Sequence, residues 1–438
     1  MRSTRYYLRL SRAFLLKFRL LLFLSISFGV LFFFLFFNLF SKFELQKQQI
    51  IGITGRFHPD SLPSEILLNM SYGLTNINNQ NIPEPGIASS WETTDNGKTW
   101  VFKIKDGLTW QDNTPITSRN LMYEFSDVKI ETPDDKTIKF IIENNFAPFP
   151  SVVSKPTFKK GLVGVTEWKV DKLTLSGAYV QELVLKNKKQ KNIYRFFPTT
   201  ESTKTAFKLG TVDIIENLLD PTPFDKWRQV KLESYAQQKQ VVTLFYNTKS
   251  PLLSEKELRQ ALAYAINKEV LGKRAYSPIQ PNSWAYNPQI KSYDYDLEKA
   301  KKAISEIEKA MKTELKINLV SSPSLLSIAE KIVKDWENAG INASILVSSI
   351  VPTDYDAYLT IYDIPIDPDQ YSLWHSTQTT SNISKFSNSR IDKLLEDGRS
   401  TVNFEERKKI YFDFQRFLLE DLPASFLFHP TYYRVVRK

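Results

Sequence analysis

The sequence of 438 residues contains no cysteine. That excludes disulfides, thiolate zinc sites, iron–sulfur clusters, cysteine nucleophiles and a lipid anchor carried on cysteine. Histidine is scarce: His58, His375 and His429 stand far apart, and each reads as a surface or hydrogen-bonded side chain rather than a metal ligand. With 14 glycines and 22 prolines, collagen-like and Gly/Ser-rich material is excluded. The phosphate-loop, dinucleotide, nucleophile-elbow and zincin patterns are missing as well. The expectation is therefore no catalytic residue, no metal and no cofactor. The carboxylate pairs Asp354/Asp356 and Asp367/Asp369 suit acid–base work only where burial separates their pKa values. Asp beside Pro is also ordinary turn chemistry.

The formal charge of +10 resembles a nucleic-acid signal until it is located. Arg2, Arg5, Arg9, Arg12, Lys17, Arg19 and Lys42 crowd the first 42 residues, which hold no acid. Without those seven the remainder carries about +3, close to neutral for its length. The basicity reads as an address signal, and no nucleic-acid partner is expected.

From Leu20 to Phe40 the chain reads LLLFLSISFGVLFFFLFFNLF, without a charge. A bilayer core of about 30 Å takes about 20 helical residues. The excess of Arg and Lys ahead of this run places residues 1–19 in the cytoplasm and the bulk of the chain outside. A cleaved signal has a shorter apolar region followed by small residues. This run instead ends in Asn38-Leu39-Phe40-Ser41-Lys42. It is read as an uncleaved, single-pass anchor in the cell membrane, with a stalk over 41–49.

Beyond the anchor, helix and strand patterns alternate. Ile50–Thr54, Thr99–Lys105, Thr137–Glu143, Val212–Ile215 and Val241–Tyr246 read as strands, and Asp95-Asn96-Gly97 as a hairpin turn. Leu258, Ala261, Leu262, Ala265 and Ile266 share one helical face. Leu315–Val320, Ser324–Asn338 and Ala343–Ser348 form a β-α-β unit, and Asn403 with Glu406 opens a late helix. The composition is globular, 42% hydrophobic and 24% charged, and the length suits two or more α/β lobes.

The stretch IASSWETTDNGKTWVFKIKDGLTWQDNTPITSRNLMYEF, residues 87–125, closely resembles the family 5 bacterial extracellular solute-binding proteins, the peptide-binding subunits of ABC importers. The residues that carry the likeness are Ala88, Ser90, Trp91, Asn96, Gly97, Trp100, Phe102, Gly107, Trp110, Asp112, Pro115 and Thr117, followed in the family by a helix. Further matches follow in order: Gly210 to Asp213, Phe245 to Thr248, Leu258 to Lys268, Tyr293–Ala303, and the closing segments Asp367–Leu395 and Arg407–Pro423. Asn113 stands where the family has Gly, and Leu175-Ser176-Gly177-Ala178-Tyr179 replaces a Gly-Thr-Gly-Pro-Tyr turn. Several tens of residues usual in the family are missing between Phe125 and Ser126. Relatives usually hang from a lipidated cysteine, a role the apolar helix takes here.

The resemblance implies an α/β fold of the type II periplasmic-binding-protein kind: two hinged lobes plus a reduced extra domain, preceded by one transmembrane helix. The boundaries that follow are 50–245 for the first lobe, with the extra domain about 75–165, then 246–415 for the second lobe and 416–438 returning to the first. The implied function is a membrane-anchored, extracytoplasmic, non-enzymatic receptor. It binds a peptide between its lobes and delivers it to the permease subunits of an ABC importer, as a monomer attached to the bilayer through 20–40. Asp367, with Asp369 second, is the implied partner of the peptide ammonium. Removal of Asp367 is expected to weaken binding more than tenfold and leave stability nearly intact. Tyr362, Tyr371 and Trp374 are candidate cleft walls, Ser71, Tyr72 and Leu74 match the first lobe's side, and Tyr246 and Asn247 the crossing strand. Trp91, Trp100 and Trp110 read as packing, and Arg259 as a structural ion-pair partner. Two other readings stand beside this one: a cell-surface hydrolase, and a non-transport surface interaction protein on the same fold.

Overall fold

The computed structural model describes residues 4–40, 47–312 and 314–438. Most of the expected stalk lies outside the described residues, and its last three residues already belong to the first strand, Lys47–Thr54. Ahead of it run two helices, Thr4–Lys17 and Arg19–Phe40. The second is 22 residues long, or ~33 Å, and its described side chains, 19–21 and 23–36, are exposed. It is long and apolar enough to cross a membrane, a property that signal sequences share.

Three large sheets organise the rest, beside a two-stranded pair, Thr75–Ile77 with Pro83–Pro85. The first lobe has seven strands in the order Val230–Ala236, Thr431–Arg437, Ile214–Leu218, Lys47–Thr54, Gln190–Phe197, Tyr179–Lys186, Lys169–Ser176. Gln190–Phe197 and Ile214–Leu218 both run parallel to Lys47–Thr54, which lies between them, and the crossover from the first to the second takes a helix, Thr200–Lys208. Thr199 caps that helix through Ser202, and Gly210 at φ +74° ends it. The second lobe has six strands in the order Lys273–Arg274, Ala424–His429, Gln240–Tyr246, Ala357–Asp363, Lys316–Ser321, Asn342–Val347. Its β-α-β unit forms as the sequence pattern predicts, with Lys316–Ser321 parallel to Asn342–Val347. The helices Lys256–Ala265, Leu326–Asn338 and Phe404–Asp421 bury Leu258, Leu262, Trp336, Phe414 and Leu418 against this sheet.

The extra domain is a four-stranded antiparallel sheet, Ala88–Glu92, Thr99–Ile104, Thr137–Ile142, Val128–Asp134. Alternation in Thr99–Ile104 buries Trp100, Phe102 and Ile104, and the Asp95-Asn96-Gly97 turn holds Asn96 and Gly97 at φ +55° and +89°. Asn113 takes φ +65°, which an Asn tolerates where the family uses Gly. The helix that the resemblance implies after Thr117 does not form. Asn120 bonds back to the Thr117 N–H, Ser118 is tied to Asp134 and Asp135, and the chain enters the strand Val128–Asp134 directly.

Strand pairing corrects two expected boundaries. Gln240–Tyr246 pairs wholly with Ala357–Asp363, so the second lobe begins at Gln240 rather than 246. Phe404–Asp421 and Ala424–His429 also belong to the second lobe, so the return to the first comes at Thr431 rather than 416. The chain thus crosses between lobes twice, from Ala236 to Gln240 and from His429 to Thr431. The two crossings are tied where Gln237 N donates to Pro430 O at 2.9 Å.

Candidate functional site

The extra domain meets the second lobe directly. Trp284 N donates to Gln80 O at 2.9 Å, Asn282 Nδ2 to Asn79 O at 2.6 Å and Asn81 Nδ2 to Gln280 Oε1 at 3.1 Å. Further along, Ala147 N donates to Arg399 O at 2.8 Å. At this junction lies a cavity of about 430 Å³. The extra domain supplies Trp91, Glu92, Trp100 and Ser151, and the second lobe supplies Trp284, Phe404, Asp367 and Arg407. Trp284 leans on Phe404 with ring centroids 4.7 Å apart. The walls are mainly aromatic and aliphatic, with a few polar groups at one side, the make-up of a small-molecule site.

Asp367 reaches this cavity, but its carboxylate is already occupied. Arg407 Nη1 donates to Oδ2 at 3.0 Å and Nη2 to Oδ1 at 2.5 Å. Asp369 N adds a bond to Oδ1 at 2.9 Å, and Ser151 Oγ one to Oδ2 at 3.3 Å. An ionised carboxylate offers about four acceptor positions. All four are used, so no position is left for a ligand ammonium while Arg407 stays. Burial works against the Arg407 charge, yet Asp367 beside it raises the guanidinium pKa above its ordinary value. Asp369 is held by Arg399, whose Nε and Nη2 both donate to Oδ2, at 3.0 and 2.9 Å. Burial raises the Asp369 pKa, and Arg399 opposes the rise.

The other expected site residues stay away from the cavity lining. Tyr362 and Trp374 are buried and both donate to Gln370 Oε1, at 3.1 and 2.8 Å, inside the second lobe. Tyr246 is buried against Ser425 at 2.9 Å, and Asn247 Nδ2 donates to Tyr355 O at 2.8 Å. Tyr371 stacks on His375 with centroids 4.1 Å apart. Ser71 is buried and donates to Thr157 O, while Tyr72 and Leu74 pack on the core of the extra domain. The main chain there is also engaged. Tyr72 O accepts from Thr157 N, Gly73 O accepts from Ile87 N, and Leu74 N donates to Tyr123 OH. Residues 153–166 run along this segment, with Val165 N and Thr166 N both donating to Met70 O, at 3.1 and 3.2 Å. Trp100 and Trp110 are core as expected and Trp91 packs half-buried against them, while Trp91 and Trp100 also reach the cavity wall. Arg259 holds carbonyls of Leu253, Ser254, Asp421 and Leu422 rather than a carboxylate.

Asp363 ends the strand Ala357–Asp363 at the crossing between lobes and is exposed. Its bonding partner is neutral, the Gln240 amide at 2.7 Å. The same Gln240 accepts from Tyr432 OH of the first lobe at 2.8 Å.

Residues 83–383 match the family described as bacterial extracellular solute-binding proteins, family 5 middle. The chain belongs to this family. It is a binding protein of the extracytoplasmic side rather than an enzyme. The dipeptide-binding protein of Escherichia coli (strain K12) is 24% identical over 445 residues, covering 81% of this chain and 82% of that protein. The crystal structure of the ABC transporter substrate-binding protein CtaP from Listeria monocytogenes superposes with a TM-score of 0.73 at 21% identity, covering 90% of this chain and 94% of that one. NikZ from Campylobacter jejuni, solved in complex with Ni(L-His), superposes at 0.71 with 20% identity, over 89% and 94%. These solved structures establish the two-lobed type II fold.

Within this family 5 protein, sequence reasoning missed Arg407, Trp284, Phe404 and Glu92 of the cavity lining. Arg407 was detectable: it sits on the apolar face of Phe404–Asp421, four residues before Tyr411, where a buried cation requires a carboxylate partner. Trp284 lies in a loop without periodicity, so nothing in the sequence pointed to it.

Proposed function

We propose that this chain is the membrane-anchored receptor of an ABC importer and that it takes short peptides at the junction of its lobes. The observation that carries the reading is the cavity of about 430 Å³ at the junction of extra domain and second lobe. Its aromatic walls suit one bulky side chain, and Asp363, at the hinge and outside the cavity lining, offers a carboxylate bonded to the neutral Gln240 amide, with no arginine paired to it among the described residues. A ligand held by both parts favours the closed arrangement through contacts that exist only there. The name of the Escherichia coli relative supports a peptide as ligand.

The anchor is part of the reading. Helix Arg19–Phe40 crosses the membrane once, with the basic Thr4–Lys17 on the cytoplasmic side. Tethering keeps the lobes near the permease and raises their effective concentration there. The test is native mass spectrometry of the full chain released from membranes, followed by calorimetry with di- and tripeptides. A co-purifying peptide and micromolar or tighter binding are expected. A chelate or sugar released in place of a peptide overturns the ligand assignment.

A further inference from the structure

The far end of the first-lobe sheet, opposite the crossings, is where the chain enters from the anchor. Lys47 is paired there with Gln190, and Lys47 N donates to Lys189 O at 3.1 Å. The hairpin closing this end runs Lys186-Asn187-Lys188-Lys189-Gln190-Lys191, with Lys186 and Lys191 paired across it. The fold thus gathers five lysines around one point of an outer part whose overall charge is close to neutral. Asp171 is shared by Lys186 and Lys191, and Glu167 accepts from Asn187 at 3.4 Å. Among the described residues no carboxylate pairs with Lys47, Lys188 or Lys189, and all three are exposed.

From Phe40 to Lys47 the chain spans at most about 25 Å, even fully extended. The lysine cluster is therefore confined to the neighbourhood of the bilayer that holds the anchor. We infer that this end of the first lobe is a membrane-facing surface that docks on anionic lipid headgroups, so that the two-lobed body stands on the bilayer in a preferred orientation. The inference rests on the anchor reading. Lysines brought to an anionic leaflet strengthen attachment about fivefold each, and the attraction fades beyond one Debye length. Three unpaired lysines therefore favour the docked orientation roughly a hundredfold. The crossings lie at the opposite end of the sheet, so docking leaves them free.

The absence of native cysteine makes the test direct. The full chain carrying Gln190→Cys, labelled with a donor dye, is placed in nanodiscs whose lipid headgroups carry acceptors. Strong energy transfer is expected in phosphatidylglycerol and weak transfer in phosphatidylcholine. The strong signal should collapse in 0.5 M salt and in the Lys188→Glu/Lys189→Glu variant. Equal transfer in both lipids, or an unchanged signal in the variant, overturns the docking surface. So does loss of transfer on adding inorganic phosphate at matched ionic strength, which marks a small-anion site. A parallel carbonate wash separates the two ideas. Release of the chain from the bilayer overturns the anchor together with the docking, whereas retention with equal transfer overturns the docking alone.

Discussion

Arg407 grips both oxygens of Asp367, at 3.0 and 2.5 Å, across the 40 residues that separate the closing turn from helix Phe404–Asp421. The guanidinium also donates to Gly398 O at 2.7 Å and lies 5.5 Å from the Trp284 ring. One buried ion pair therefore fixes the turn, the helix and an aromatic wall of the cavity together. Its geometry makes Asp367 a clamp of the second lobe rather than a free recognition group.

The clamp predicts a stability phenotype where a binding phenotype was expected. Arg407→Met strands a buried carboxylate and should cost about 3–5 kcal/mol. Asp367→Ala strands the arginine and should cost a similar amount, contrary to the expectation of near-intact stability. The double variant Asp367→Leu/Arg407→Met should recover most of the loss, because no charge is left unpaired. Denaturant unfolding of the four proteins measures this directly. Additive losses in the double variant would show that the two side chains do not act as a pair.

Asp363 should carry the phenotype that Asp367 does not. Asp363→Asn keeps the bond to Gln240 within reach and removes only the charge. Peptide affinity should fall more than tenfold by calorimetry, with the melting temperature within about 2 °C of the parent. Peptides acetylated at the amino terminus should be insensitive to the change. Equal losses for free and acetylated peptides would place the ammonium elsewhere.

Trp284 tests the cavity. Its backbone N–H, not its ring, makes the contact to Gln80, so Trp284→Ala opens the wall and leaves that link in place. Peptides with Phe, Tyr or Leu should bind about tenfold or more weakly, while Gly- and Ala-containing peptides change little. A uniform loss across peptides would mean that the ring acts through lobe packing, not through a ligand side chain.

The fold was largely legible because its signals are local. The alternation in Thr99–Ile104, the Asn96-Gly97 turn and the β-α-β periodicity over 315–348 each report on neighbours in sequence. The site was less legible because it is assembled from distant pieces. Ser71, Tyr246 and Trp374 carry polar atoms that look available in sequence, yet each finds its partner in Thr157, Ser425 or Gln370. The lobe boundaries slipped for the same reason. Only pairing across strands shows that Gln240–Tyr246 and Ala424–His429 share a sheet.

The second crossing carries a pH dependence. His429 is buried beside Pro430, with Nδ1 2.7 Å from Gln240 O on the first crossing. Burial lowers its pKa below the ordinary 6.5, and Lys273 nearby adds to this, while the Gln240 carbonyl opposes it. The sign follows from linkage. Above about pH 6.5 both folded and unfolded states hold a neutral imidazole, and the stabilisation is complete. As pH falls below 6.5 the unfolded chain takes up a proton that the folded hinge resists, so stability is lost until the folded pKa is passed. The melting temperature of the parent should therefore drop more between pH 7.5 and 5 than that of His429→Gln, which cannot titrate. The difference should open below pH 6.5 and level off at lower pH. Parallel melting profiles for the two proteins would assign the acid sensitivity to groups away from the hinge.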